Sequence, residues 1–213
     1  MFIIQNIMDN IVKGFYINLD KRPDRKHHFE NLKSKHSFFK GVERFSGIEN
    51  PNGYLGCCNS HIEAIKKCKE LDGEVFMICE DDLIIIDEEK FNNMVNTIDL
   101  TANWDVLTLT PRGDNIPNED LPNGYIRIKN NQTATAYLFK KHMIDILTDT
   151  LQEGLDKMKN GGHPDQYMND QIWKRLQIPY RFYYYKEIFA GQLVGFSDIE
   201  KRFVNYNQRF MIQ

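Results

Sequence analysis

Five apolar residues, Val75-Phe76-Met77-Ile78-Cys79, run without a break into three acids, Glu80-Asp81-Asp82. A short continuous apolar run reads as a strand buried on both faces, so its end opens at the edge of a sheet covered on either side. Three adjacent carboxylates at such an edge repel one another unless a cation lies among them, and a divalent ion with oxygen preference meets that need. The other reading is a solvated turn after a core strand, since acids are common at strand ends. The rest of the chain has to decide between the two.

At 213 residues the chain is long enough for one large domain or two small ones. It shows no internal repeat, low-complexity segment or linker, so one mixed α/β domain over 1–213 is expected, with a core of about 13–200 and a C-terminal tail at 201–213. The 27 basic residues nearly balance the 30 acidic ones, which excludes a general nucleic-acid binder. No apolar run reaches membrane-spanning length, and Met1-Phe2-Ile3-Ile4-Gln5-Asn6 lacks the basic-then-apolar order of a secretory signal, so a soluble protein is expected. Cys57, Cys58, Cys68 and Cys79 form neither a CxxC pair nor a zinc-knuckle spacing. Cys68 and Cys79 read as small core residues, and free thiols favour a reducing, cytoplasmic setting. Asn131-Gln132-Thr133 is a formal glycosylation acceptor that carries little weight without a secretion signal.

The first strand is expected at residues 13–19, followed by the polar loop Asp20-Lys21-Arg22-Pro23-Asp24-Arg25 and a helix. Ligands of open α/β sheets bind at the carboxyl ends of strands, which places Arg22 and Arg25 to meet an anion; a solvated basic loop is the alternative. Residues 38–45 read as a second strand and 46–53 as a turn-rich loop. Ser60 and Glu63 form the S-x-x-E box of a helix start, with Ala64, Ile65, Cys68 and Leu71 as its apolar face. His61 then lies in the first turn, where backbone N–H groups favour anions. After the acids, a helix from Asp87 carries Phe91, Met94 and Ile98 inward, and residues 104–109 make a strand. Residues 111–124 form a long loop of the kind that carries function. Residues 125–128 alternate as an edge or antiparallel strand, 134–139 form another strand, and 141–158 a helix. Pro164 opens a helix to Leu176 with Asp165 in its first turn, a placement that capping preferences explain without any function. Residues 180–185 read as the last strand and 191–199 as a glycine-flanked loop.

In chain order, Phe15-Tyr16-Ile17-Asn18-Leu19-Asp20-Lys21-Arg22-Pro23-Asp24-Arg25, Gly56-Cys57-Cys58-Asn59-Ser60-His61, Cys79-Glu80-Asp81-Asp82, Trp104-Asp105-Val106-Leu107, Thr133-Ala134-Thr135-Ala136-Tyr137-Leu138, Asp165-Gln166 and Phe196-Ser197-Asp198-Ile199 resemble glycosyltransferase family 25. That group includes lipooligosaccharide sugar transferases and collagen galactosyltransferases. The resemblance covers about residues 14–200. It implies a GT-A-type, Rossmann-like mixed β-sheet flanked by helices, which binds a nucleotide-sugar at the carboxyl ends of its first strands. It also implies an acid-x-acid motif holding a divalent cation, usually Mn2+ with Mg2+ as the alternative, on the donor diphosphate. Glu80 stands where the better-known motif has Asp. The expected metal ligands are Asp82 directly and Glu80, which would face the ribose or a metal-bound water.

Breaking the bond from an anomeric carbon to a diphosphate leaves negative charge that a metal and fixed cations stabilise as it develops. Arg22, Arg25, Asp81, His61 and the amides after Ser60 are expected on the donor, with Asn18 on its base or ribose. The family's reaction inverts the anomeric centre and needs a general base; Asp165 matches the family's acid, and Asp198 is the second choice. The expected partners are a UDP-hexose donor and a glycan or hydroxylated-protein acceptor. A phosphoryl-transfer or hydrolytic enzyme on the same acids is disfavoured by the lack of a Gly-rich phosphate loop ending in Lys-Ser or Lys-Thr. A binding domain of this fold that has lost its chemistry is the remaining alternative.

Overall fold

In a computed structural model, which describes residues 12–206, the described part opens with a β-α-β-α-β unit. Its elements are β1 (Val12–Asn18), α1 (Pro23–Lys35), β2 (Val42–Ser46), α2 (Gly53–Lys67) and β3 (Val75–Glu80). Both β2 and β3 pair with β1 in parallel, one on each side. The chain therefore crosses over β1 between its second and third strands, and the loops leaving β1 and β3 part at this reversal. Such a point is where an open α/β sheet forms a crevice. The register sets Ile17 beside Glu80, so Asn18 ends next to the acids.

The chain continues with β4 (Leu83–Ile85), α3 (Glu88–Thr97), β5 (Val106–Thr108), β6 (Asp114–Asn115), β7 (Tyr125–Lys129), β8 (Ala136–Lys140) and α4 (Met143–Lys159). It closes with α5 (Pro164–Tyr167), α6 (Asn169–Ile172), β9 (Phe182–Tyr185), β10 (Ala190–Gln192), β11 (Gly195–Ser197) and β12 (Arg202–Val204). The main sheet has the order β2-β1-β3-β8-β5-β9-β7-β6. It is mixed, because β8 runs antiparallel to β3 and β5, and β7 antiparallel to β9. Two short ladders, β4 with β10 and β11 with β12, bring the C-terminal segment back over the crevice.

The central strands β3, β5, β8 and β9 are mostly apolar because both faces are covered. Along β3, Phe76 and Ile78 join one core with Ile62 and Ile65 of α2 and Leu147 and Leu151 of α4. Val75, Met77 and Cys79 join the other with Phe29 of α1 and Phe91 of α3. Each fully buried large side chain stabilises the fold by roughly 1.5–3 kcal/mol relative to exposure. As expected from the sequence, Asp87 caps α3, its carboxylate accepting from the Lys90 N–H at 3.1 Å.

Several expectations are corrected. Residues 37–39 form a 3-10 turn and the strand starts only at Val42, because Phe38 and Phe39 pack edge-on to each other while Phe38 meets Phe91 edge-on and Phe39 stacks on it. Ser60 and Glu63 make no helix start: α2 begins at Asn52, whose side chain accepts from the Tyr54 N–H at 3.1 Å. Gly56 within it permits close packing, since a Cβ there would stand 2.8 Å from the Ile48 carbonyl oxygen. The helix expected from Pro164 to Leu176 is instead α5, a break at Met168, α6 and a 3-10 turn at Trp173–Leu176. Residues 111–124 contain β6 and a 3-10 turn at Pro122–Gly124, and β9 is followed by three short strands, one of them inside the supposed tail. The expectations for residues 1–6 and for 207–213 fall outside the described residues. Among the described residues, no helix is long and apolar enough to cross a membrane.

Candidate active site

The crevice between the ends of β1 and β3 opens into a cleft of about 490 Å³. Its lining includes Arg22 and Arg25, the acids Glu80–Asp82, Ser60 and His61 of α2, Asp165 and Asp170 opposite, and Asp198 from the C-terminal segment. The sequence-expected site residues thus gather at one edge of the sheet, where they form three linked networks and one separate acid.

The first network holds the acids. Arg25, on the first turn of α1 and buried, places Nη1 2.8 Å from Asp82 Oδ2 and 3.5 Å from Asp81 Oδ1, while its Nη2 donates to the Phe196 carbonyl at 3.1 Å. Asn18 is only 1 % exposed and its amide is committed within the protein. It donates to Asp81 Oδ2 at 2.7 Å and to the Arg22 carbonyl at 3.0 Å, and accepts from Arg44 Nε at 2.9 Å. These contacts make Asn18 a positioning residue for Asp81. Burial, then the charge of Asp82, raises the Asp81 carboxyl to about 7, with Asn18 and Arg25 pulling the other way. Burial and the charge of Glu80 likewise push Asp82 upward against Arg25. Asp82 Oδ1 is buried and has no hydrogen-bond partner among the described residues. A cation among the acids would satisfy such an oxygen. Oxygen-rich carboxylates at a strand end suit a hard divalent ion, so these residues fit the metal that the sequence implied.

The second network is basic. Arg22 donates from Nε and Nη2 to Asp24 at 2.9 and 2.7 Å and from Nη1 to Asp198 at 2.5 Å. The paired guanidinium holds Asp24 down at about 2. Asp198 also lies 3.9 Å from Lys21 Nζ, so it enters the cleft already neutralised.

The third network joins α2 to β3. His61 lies about two turns into α2, not in its first turn, and is 1 % exposed. Its Nδ1 is 3.1 Å from the Tyr137 hydroxyl and its Nε2 3.3 Å from Glu80 Oε1. Glu80 therefore faces α2, with Gln192 Nε2 of β10 donating to its other oxygen at 3.5 Å. Ser60 donates to the Gly56 carbonyl at 2.7 Å and accepts from the Ile48 N–H at 2.8 Å, tying the 46–50 loop to the helix in place of the expected first-turn amides.

Asp165 stands apart on the opposite wall, its side chain 88 % exposed and 3.4 Å from His163 Nδ1. Five residues on, Asp170 of α6 is packed into the same wall. Burial raises its carboxyl to about 7, helped by the charge of Glu80 and opposed by Gln171, Lys174 and Arg112. The sequence reading missed Asp170, along with Arg44, Gln192 and Asn169. Asn169-Asp170 reads as the middle of a long helix, and only the break at Met168 turns it into the cleft.

No protein-family profile matches the sequence, and no curated protein matches it. Among solved structures, the chain is similar to one described as a "Crystal structure of a glycosyltransferase involved in the glycosylation of the major capsid of PBCV-1". The TM-score is 0.52 at 13 % identity, over 90 % of this chain and 96 % of that one. A second, a mannose-1-phosphate geranyltransferase from Thermus thermophilus, aligns at a TM-score of 0.47 and 9 % identity, over 83 % of this chain and 60 % of that one. The chain shares with the first of these a mixed α/β fold, a large mixed sheet flanked by helices.

Proposed function

We propose that this chain is an inverting, divalent-metal-dependent glycosyltransferase of the family 25 kind, moving a hexose from a UDP-sugar to a hydroxyl of a glycan or hydroxylated protein. The observation that carries the reading is the unpartnered, buried Oδ1 of Asp82 within the acid cluster at the β1/β3 reversal. A bound Mn2+ or Mg2+ supplies charge to the donor diphosphate. Asp82 and Glu80 are the proposed ligands, with Asp81 held beside them by Asn18. Arg25 offsets part of the charge of the three acids before any ligand arrives, and Arg22 and Lys21 stand on the rim paired with Asp24, Asp198 and Glu49. His61 orients Glu80, and Ser60 fixes the loop next to it.

Deprotonating the acceptor hydroxyl calls for a base whose affinity for the proton lies near the working pH. Asp165, Asp198 and Asp170 all line the cleft. Asp198 is occupied by Arg22 and Asp165 stands in solvent, so we assign the base to Asp170, whose carboxyl sits at about 7. The four unpaired cysteines support a reducing compartment such as the cytoplasm.

The test is incubation of the chain with UDP-hexoses, Mn2+ and a panel of glycan and hydroxylysine-peptide acceptors. The expected result is UDP release coupled to a glycosylated product whose anomeric configuration, read by NMR, is opposite to the donor's. Release of phosphate from simple esters, with no nucleotide-sugar consumed, would overturn it in favour of a hydrolytic enzyme.

A further inference from the structure

Cys57 and His61 stand four residues apart on α2 and so share one face of the helix, above the end of β3. Glu80 Oε1 lies 3.3 Å from His61 Nε2 and 4.0 Å from Cys57 Sγ, and one ligand atom of each residue falls within 4.8 Å of the other two. Zinc ligands at about 2.0–2.3 Å in a tetrahedron stand about 3.3–3.8 Å from one another, so small side-chain rotations close these three atoms on one ion. Three protein ligands leave a fourth position open towards the cleft.

The surroundings fit the same geometry. A metal-bound imidazole is normally oriented through its other nitrogen, and His61 Nδ1 has the Tyr137 hydroxyl at 3.1 Å, with the two rings stacked. Asn169, 2 % exposed, donates from Nδ2 to Cys57 Sγ at 3.6 Å, a contact that suits a metal-bound sulfur. The Asn169 Oδ1 is buried and lacks a partner among the described residues, which leaves an acceptor for a proton on a fourth ligand such as water.

We propose that Cys57, His61 and Glu80 form a site for one zinc-class cation, different in donor chemistry from the Asp81–Asp82 cluster and sharing Glu80 with it. Sulfur and imidazole select zinc or cobalt, whereas carboxylates and water suit magnesium and manganese. On binding, the Cys57 S–H bond is replaced by an S–metal bond and one proton passes to solvent. Because Glu80 belongs to both sets, a zinc ion here draws it away from Asp82.

The test needs neither donor nor acceptor, so it stands or falls separately from the transferase reading. The chain, kept reduced with a phosphine, is titrated with Co2+ and followed by absorption spectroscopy. One equivalent is expected to give a sulfur-to-cobalt charge-transfer band and strong tetrahedral visible bands, displaced by Zn2+ and not by Mg2+. Cys57→Ser is expected to abolish the charge-transfer band and weaken zinc binding by about 100-fold, while Cys58→Ser leaves both intact. Should Cys57→Ser fail to fold, X-ray absorption of the unaltered protein with one equivalent of zinc decides, with one sulfur expected at about 2.3 Å. No charge-transfer band at one equivalent, a band that survives in folded Cys57→Ser, or a shell of nitrogen and oxygen alone overturns the proposal.

Discussion

The two walls of the cleft are built on opposite principles. On the β1/β3 wall, half-buried acids are held by fixed partners: Asp82 by Arg25, Asp81 by Asn18, Glu80 by His61 and Gln192. On the α5/α6 wall, Asp165 stands in solvent, and Asp170 is half-buried and accepts from Gln171 Nε2 at 3.2 Å. The first wall has its charges arranged in advance, which is what stabilising a developing diphosphate requires. The second holds a carboxyl raised, like that of Asp81, to about 7 but without a salt bridge among the described residues, which leaves it free to take a proton from a hydroxyl.

Substitutions that exchange the properties of the walls should separate them. The largest effect is expected at Asp82: Asp82→Ala should lower metal-dependent transfer by at least about 10³-fold while the chain stays folded, checked by turnover and circular dichroism. Next, Arg25→Met leaves half-buried acids without their cation and should cost about 2 kcal/mol of stability, read by chemical denaturation. A loss below about 1 kcal/mol would mean that the acids on this wall do not depend on Arg25.

On the other wall, Asp170→Asn should reduce kcat by about 10²-fold with little change in donor KM, whereas Asp165→Asn should change kcat by less than about threefold. The reverse ranking would move the base to Asp165. Asp170 also carries a pH signature. Its carboxyl is at about 7 in the folded chain, against about 3.9 unfolded, so the folded state holds the extra proton between those values. Its contribution to stability is complete below about pH 4 and declines as pH rises towards 7. Asp170→Asn should therefore gain stability over the parent at pH 8, by at most a few kcal/mol, and gain none at pH 4. The smallest effect is expected at Ser60: Ser60→Ala removes two hydrogen bonds and should cost about 1–2 kcal/mol.

The same contrast explains what the sequence could convey. Glu80-Asp81-Asp82 was legible because a two-sided buried strand has a plain signature, and because strand ends in an open sheet converge. Arg25 was legible as a cation near that edge, but its role was not, since pairing with Asp82 depends on where α1 docks on the sheet. Ser60 and Glu63 satisfy a local capping pattern, yet Gly53 and Gly56 let the helix start earlier because close packing of Gly53 on Ile199 and of Gly56 on Ile48 outweighs their poor propensity. Asp170 had no local signal at all. Its place depends on a helix break at Met168, set by packing of the short helices against α4: a Cβ on Gly154 would stand 2.3 Å from the Tyr167 carbonyl oxygen.

The central claim is that Glu80-Asp81-Asp82 at the β1/β3 reversal is a metal and nucleotide site. Its most direct measurement is the melting temperature of the chain with UDP, with Mn2+, and with both together, in parent and Asp82→Ala proteins. The account predicts that the pair raises the melting temperature by about 5 °C or more at saturation, beyond the sum of the separate effects, and that Asp82→Ala removes the gain. An equal rise in Asp82→Ala, or no rise with both ligands present, would contradict it.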